Sequence, residues 1–304
     1  MTGSTSTTAA FTVPVDGGHL AVWSWGPPDG PVVVAAHGIT SSHVFWRPVG
    51  ERLAAEGIRL LAPDLRGRGR SADLPGPSSM ARHAEDLMAV LDHAGVEDAV
   101  LVGHSMGGFV VATAAVRHPS RAYRVVLVDG GPPLGDDLPA DVDVEAALGA
   151  IIGPSLARLA ERYPDRATYR AFWAGHPSFA AVPPDLVEAY ADHDLVPTGE
   201  GTWRSCVDRD RVIEDGRDTL TSTALRTAVV DAAAAGTPIT FLHAERGMLD
   251  GPEGLYPPAR VNALLGGQDS IEVRLVADTN HFTIGMSPHG AAAVAAAVAE
   301  AVRA

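Results

Sequence analysis

The hydrophobic positions follow two periods along the chain, and each period predicts its own kind of element. In residues 11–15 and 19–25, apolar and polar residues alternate on either side of Asp16-Gly17-Gly18, which predicts an antiparallel hairpin. Further on, short runs are apolar on both faces, as expected of strands in a parallel sheet covered by helices. These runs are residues 31–38, 58–61, 99–102, 124–128 and 239–243, and residues 270–276 predict one further strand.

Segments with helical spacing separate most of these runs. They are residues 45–56, 79–94, 109–118 and 290–304. Strands that alternate with helices predict an α/β fold with a mostly parallel sheet, to which the hairpin adds an antiparallel edge. From about residue 132 to residue 236 the alternation stops, and aromatic residues lie scattered among prolines. This segment predicts an insertion.

Composition and charge exclude several classes of function. The 304 residues are 46% hydrophobic and carry a net charge of −14, which favours uncharged ligands over nucleic acid. No apolar run approaches the roughly 18 residues of a membrane span, and the start of the chain shows no signal-peptide pattern, so we expect a cytoplasmic protein. The lone Cys206 predicts packing, with neither a disulfide nor a metal site.

Arginine supplies all 23 basic residues. The absence of lysine excludes a lysine Schiff base and the phosphate-binding loop that requires Gly-Lys-Ser/Thr. The run Arg66-Gly67-Arg68-Gly69-Arg70 could indicate RNA contact. In an acidic protein, directly after a buried strand, a turn that glycine permits is the favoured interpretation.

Ser105 is the candidate nucleophile. It stands in Gly103-His104-Ser105-Met106-Gly107, between an apolar run and a helical pattern, where a sharp corner would lift its hydroxyl above the sheet edge. Such a corner crowds the backbone and favours glycine on both sides. The helix that follows offers the unpaired Met106 amide to an oxyanion. An ordinary Gly/Ser turn is the alternative interpretation.

A serine hydroxyl needs a base, and His281 is the candidate. It lies in Thr279-Asn280-His281-Phe282, just past the last strand, which predicts a loop at the same sheet edge as Ser105. His289 is the other histidine beyond that strand, and its position indicates entry into the final helix.

Four motifs together make the chain resemble α/β-hydrolase-fold enzymes over nearly its whole length. They are His37-Gly38-Ile39-Thr40, residues 64–71, residues 103–108 and Asn280-His281-Phe282. The resemblance implies an eight-stranded, mostly parallel sheet flanked by helices. It also implies a core formed by residues 1–131 and 237–304, with residues 132–236 as a helical cap. It places the oxyanion hole at the backbone amides of Ile39 and Met106.

The acid of the triad departs from the usual pattern of this family. Ala244 stands where these enzymes usually carry a glycine, and Gly247 stands where they usually carry the acid. Asp250 and Glu245 are nearby candidates. Asp129 is the favoured candidate because it directly follows the neighbouring strand, as in haloalkane dehalogenases and zearalenone-type lactone hydrolases. A simple turn aspartate is its alternative interpretation.

A serine nucleophile argues against epoxide and haloalkane chemistry, which needs a carboxylate at that position. The predicted reaction is cofactor-free hydrolysis of an apolar ester or lactone, with a macrocyclic lactone such as zearalenone as one candidate. Gly38, Phe172, Trp173 and Trp203 are the predicted substrate contacts. A carbon–carbon bond hydrolase, a haloperoxidase-like esterase and a non-catalytic receptor of the same fold are the alternatives. A homodimer is possible.

Overall fold

A computed structural model describes residues 8–135, 138–139 and 141–304. Eight of its strands form one sheet in the order β1-β2-β4-β3-β5-β6-β9-β10, and β7 pairs with β8 in a separate ribbon. The strands are β1 Thr8–Val15, β2 Gly18–Trp25, β3 Val32–Ala36, β4 Arg59–Pro63, β5 Ala99–His104, β6 Ala122–Val128, β7 Leu195–Pro197, β8 Trp203–Ser205, β9 Ile239–Ala244 and β10 Ile271–Val276.

The helices cover both faces of this sheet. They are α1 Arg47–Ala55, α2 Met80–Ala94, α3 Met106–Arg117, α4 Val144–Ile152, α5 Pro154–Ala157, α6 Arg166–Ala174, α7 Pro184–Asp194, α8 Arg209–Thr221, α9 Thr223–Ala234, α10 Pro258–Leu265, α11 Thr283–Met286 and α12 Pro288–Arg303. Their caps agree with the sequence: Ser79 Oγ accepts the Arg82 amide at the start of α2, and Gly95 ends that helix at φ 70°.

The predicted mostly parallel sheet is confirmed. The six strands from β4 to β10 in the sheet order pair in parallel, whereas β1 with β2 and β2 with β4 pair antiparallel. All five residues of β3 are buried, as its apolar run requires with helices on both faces. The carboxyl ends of β3, β5, β6 and β9 consequently meet along one edge of the sheet.

The chain between β6 and β9 holds the helices of the predicted insertion. Its last helix, α9, packs its buried face into the same apolar cluster as α3, beneath the sheet. The predicted boundary at residue 236 therefore assigns α9 to the cap, although this helix contacts the core. The division into core and cap stays a prediction. In the described part of the chain, no helix is both long enough and apolar enough to cross a bilayer.

Candidate active site

Ser105 occupies a strained corner between β5 and α3, at φ 55°. Its neighbours must lack side chains: a Cβ on Gly103 would lie 2.1 Å from the Gly107 carbonyl oxygen, and one on Gly107 would lie 2.0 Å from that of Ala36. A Cβ on Gly130, beyond the next strand, would lie 2.1 Å from the Ser105 carbonyl oxygen. The expected strand–turn–helix corner is present, and three glycines make room for it.

Asp129 and His281 form a hydrogen-bonded pair at the same sheet edge. The His281 Nδ1–H donates to Asp129 Oδ2 over 2.7 Å, and the second oxygen, Oδ1, accepts the Ala244 amide at 3.0 Å. The carboxylate is fully buried and the imidazole nearly so. Because Nδ1 carries the donated proton, His281 Nε2 is left as the acceptor, which is the state a general base needs.

The two alternative acids have other partners. Asp250 Oδ1 accepts hydrogen bonds from Arg246 Nε at 2.7 Å and from Asn280 Nδ2 at 2.9 Å. The exposed Glu245 accepts the Asp278 amide at 2.8 Å. Of the three carboxylates weighed from the sequence, Asp129 is the one that contacts the histidine.

One cavity brings the predicted residues together. Ser105, His281, Ile39 and Met106 all line it, with Asp129 behind the histidine. No hydrogen bond among the described residues joins Ser105 Oγ to His281; in this type of site that bond often tightens only when substrate binds. The Met106 amide is the first of α3 and has no partner within that helix.

Buried arginines support this edge of the sheet. Arg68 donates through Nε to the Ile39 carbonyl oxygen at 2.9 Å and forms an ion pair with Asp215 at 2.6 Å. Arg66 makes a two-pronged contact with Asp86, at 3.0 Å and 2.8 Å. These two side chains are buried and paired within the chain, and the arginine run forms the predicted turn.

Among the described residues, one further group has the spacing of metal ligands: His43, Asp64 and His193. Both imidazoles bond to the carboxylate, at 2.9 Å and 2.7 Å, and the backbone amides of His43 and Arg70 complete four hydrogen bonds to it. Burial alone raises the pKa of a carboxyl, but the bonds from His193 and His43 outweigh burial and lower the pKa of Asp64. Hydrogen bonding thus explains this group without a metal.

The wall of the active-site cavity is mostly aliphatic. Besides the residues named above, it contains Phe109, Gly130, Leu134, Leu148, Ile151, Ile152, Thr219, Leu220, Met248, Leu255 and Tyr256. Helices α4 and α8, which lie between β6 and β9, provide five of these side chains. The cavity is therefore formed by the core on one side and by the predicted insertion on the other.

A model of the family described as alpha/beta hydrolase fold matches residues 31–284. The chain belongs to this family. Its members share the strand–turn–helix corner that holds Ser105 here, and the fold therefore explains why the four motifs lie at strand ends.

Individual relatives differ in their chemistry. A bifunctional esterase/perhydrolase of Acinetobacter calcoaceticus is 38% identical over 39% of this chain and 44% of its own length. Lipase LipV of Mycobacterium tuberculosis is 32% identical over 61% of this chain and 66% of its own length. Each match thus spans less than two thirds of the relative. The thioesterase domain of the curacin biosynthetic pathway is similar in structure, with a TM-score of 0.77 over 96% of this chain and 99% of its own; its 22% identity supports the fold alone.

The predicted substrate contacts lie apart from the wall of the α/β-hydrolase cavity. Trp173 is fully buried among Phe179, Tyr190 and Phe282, with ring centroids 4.8 to 6.5 Å away, so it belongs to a hydrophobic cluster that the insertion shares with the core. Phe172 and Trp203 pack at the edge of that same cluster. Gly38 does lie beside the nucleophile, since a Cβ there would be 3.2 Å from Ser105 Cβ.

His104 is a site residue that the sequence reasoning missed. Its Nε2–H donates to the His281 carbonyl oxygen at 2.8 Å, and its ring lies 4.6 Å from that of His281. Phe45 stacks on its other face at 3.9 Å. Burial and the neighbouring His281 hold the pKa of His104 well below its ordinary value, so it is a neutral group that positions the His281 loop. Its place beside the nucleophile in the α/β-hydrolase motif was the available signal.

Proposed function

We propose that the protein is a serine hydrolase that cleaves carboxylic esters through an acyl-enzyme, with Ser105 as nucleophile, His281 as base and Asp129 as acid. The observation that carries this proposal is the Asp129–His281 hydrogen bond in the wall of the cavity that also contains Ser105. The esterase and lipase among its relatives support the same class of reaction.

The reaction follows from the placement of these groups. His281 Nε2 takes the hydroxyl proton as Ser105 attacks the carbonyl carbon, and the Asp129 carboxylate stabilises the imidazolium that forms. The amides of Ile39 and Met106 stabilise the oxyanion of the tetrahedral intermediate. Collapse of the intermediate transfers the proton to the leaving alcohol. In the second half of the reaction, His281 activates a water molecule in the same way, and the water attacks the acyl-enzyme and releases the carboxylic acid product.

The substrate belongs to the apolar esters, because the cavity wall is aliphatic. A lactone is an ester closed on itself and would follow the same steps, so a macrocyclic lactone such as zearalenone belongs in the substrate panel beside open-chain esters. The cytoplasmic location and the homodimer stay predictions.

Replacement of the nucleophile tests the proposal directly. Ser105→Ala should lower kcat by about 10⁴-fold or more on any ester that the wild type cleaves, as in other triad knockouts. Wild-type protein should react with a serine-directed fluorophosphonate, and peptide mass spectrometry should place the label on Ser105. Circular dichroism should show an unchanged fold, since Ser105 is partly exposed and its hydroxyl has no partner to lose.

Two outcomes would contradict the proposal. A variant that keeps more than about a tenth of wild-type kcat would remove Ser105 from the mechanism. Wild-type protein that neither reacts with the phosphonate nor turns over any ester, yet binds one of the panel, would be a receptor on a hydrolase fold.

A further inference from the structure

We infer that the cavity beside Ser105 holds one unbranched hydrocarbon chain of the ester and that an outer groove takes the far end of longer chains. This inference rests on the proposed function and names its substrate class. It depends on three features: the small number of hydrogen-bonding groups in the cavity wall, the close packing of two helices, and the continuity of the cavity with a mostly apolar groove.

Apart from Ser105, the polar side chains in the wall already have partners. The Tyr256 hydroxyl donates to the Pro132 carbonyl oxygen at 2.7 Å, and the Thr219 hydroxyl donates to that of Asp215 at 3.0 Å. Asp129 and His281 bond to each other, and no other described residue of this wall is charged. A charge on the substrate chain would lose its water and meet no free opposite charge there, and a hydroxyl would find the protons of Tyr256 and Thr219 already donated.

Close packing of α4 and α8 gives the cavity its narrow shape. Leu148 and Ile152 are spaced four apart on α4 and face the cavity together with Ile151. Gly216 on α8 lets α4 approach, because a Cβ there would lie 2.3 Å from Leu148 Cδ1. The side chains of Thr219 and Leu220, on α8, also line the cavity. A thin aliphatic chain fits this slot better than a ring system does.

The inner cavity continues outward. Six side chains line both the cavity and an outer groove: Leu134, Ile151, Thr219, Leu220, Met248 and Leu255. At the rim of the groove, Leu138 and Leu249 are 37% and 49% exposed, among the few large apolar side chains that the described surface leaves open. Arg226 and Glu253 lie at the same rim, where they remain close to solvent. The path from Ser105 to the surface is thus mostly apolar, and its charged side chains lie at the outer rim.

A chain-length series tests the inner cavity. Each methylene moved from water into an apolar site improves binding about fourfold at best. For 4-nitrophenyl esters, kcat/KM of the wild type should rise at least about tenfold from acetate to octanoate. Alkyl acetates of increasing length test whether the chain belongs to the alcohol instead. The proposal requires that kcat/KM rises with chain length in one of the two series.

A bulky substitution should block the slot. Ile151→Trp should lower kcat/KM for the octyl member of the responsive series at least about tenfold and leave the shortest ester within about threefold of wild type. Ile213→Trp is the matched control, because Ile213 is partly buried on α8 and lies outside the cavity wall. Retained activity on the shortest ester shows that the blocked variant is folded; if it is inactive on all esters, Leu220→Trp replaces it.

A substitution at the rim tests the outer groove. Leu249→Asp should reduce kcat/KM for the dodecyl ester at least about threefold and leave the butyl ester unchanged, because a charge at the rim disfavours the far end of a long chain. Rates independent of chain length in both series would overturn the channel. So would a partial loss in Ile151→Trp, or in Leu220→Trp where it replaces that variant, that is equal on short and long esters. Phosphonate labelling of Ser105 would still succeed in that case, so failure of the channel can be told from failure of the proposed function.

Discussion

At the scale of single residues, the acid and the nucleophile are coupled through the backbone. Asp129 lies in the left-handed region at φ 46°, a conformation that aspartate tolerates better than most residues. Gly130 follows, and its bare Cα packs against the Ser105 carbonyl. One short turn after β6 therefore sets both the direction of the carboxylate and the space behind the nucleophile. A turn role and a catalytic role for Asp129 are compatible.

Two amide substitutions separate the candidate acids. Asp129→Asn removes the charge that would stabilise the His281 imidazolium and disturbs its tautomer, so we expect kcat to fall at least about 10³-fold with little change in KM. Asp250→Asn keeps an oxygen that can accept from Asn280, so its cost should be less than about tenfold. Steady-state kinetics on one ester measures both. A larger loss in Asp250→Asn would assign the acid to the commoner arrangement of the family.

At the scale of elements, one hydrogen-bonded group ties the segment between β6 and β9 to the core. Asp64 follows β4, His43 begins the turn before α1, and His193 comes from α7. The His43 ring stacks on Trp23 at 3.5 Å, and the two imidazoles meet edge to face. The buried carboxylate accepts donors from both sides, so it holds α7 against the end of the sheet.

Loss of the α7 contact should destabilise the protein. His193→Ala removes one donor to the buried Asp64 and leaves three, so we expect the free energy of unfolding to fall by about 1 to 3 kcal/mol. Urea denaturation at pH 7 measures it. His289→Ala is the control, because His289 is exposed and makes a single contact at 3.2 Å. Equal unfolding midpoints for the two variants would show that the contact adds no stability.

At the scale of the whole molecule, the sequence predicted the sheet and the reacting groups for one physical reason. Buried parallel strands must be apolar on both faces, so their ends are visible in the sequence, and polar residues at those ends meet at one edge. Ser105 and Asp129, two of the proposed catalytic residues, were found in this way. His281 was found as the histidine in the loop after β10, an edge strand that is partly exposed. The pairing of Asp129 with His281 could not be settled, because it depends on the direction in which each loop turns.

The insertion was harder to predict because its helices pack on one another as well as on the core. Trp173 was expected to contact substrate, yet it is buried in a hydrophobic cluster between the insertion and the core. The side chains that do line the cavity, such as Ile151 and Leu220, have the ordinary spacing of an amphipathic helix. Periodicity tells which face of a helix is buried, and only the tertiary structure tells what that face contacts.

The buried histidines make the stability of the whole molecule depend on pH, and His37 is one of them. Burial lowers the pKa of His37 to about 3, although the nearby Asp64 charge raises it. Its ring is used neutral: Nδ1–H donates to the Gly38 carbonyl oxygen at 2.8 Å, and Nε2 accepts the Leu65 amide at 2.9 Å. The unfolded chain, with an ordinary histidine pKa of about 6.5, binds a proton that the folded chain excludes.

The sign of the effect follows from that difference. Between the two pKa values the unfolded state binds more protons, so stability falls as the pH falls, and from pH 7 to pH 5 His37 alone should cost about 2 kcal/mol. Most carboxylates remain ionised in this range. His37→Gln keeps an acceptor for the Leu65 amide and removes the titration, so urea unfolding of this variant should lose about 2 kcal/mol less than wild type over the same interval. An equal loss in both proteins would mean that His37 is already protonated in the folded state or stays neutral in the unfolded one.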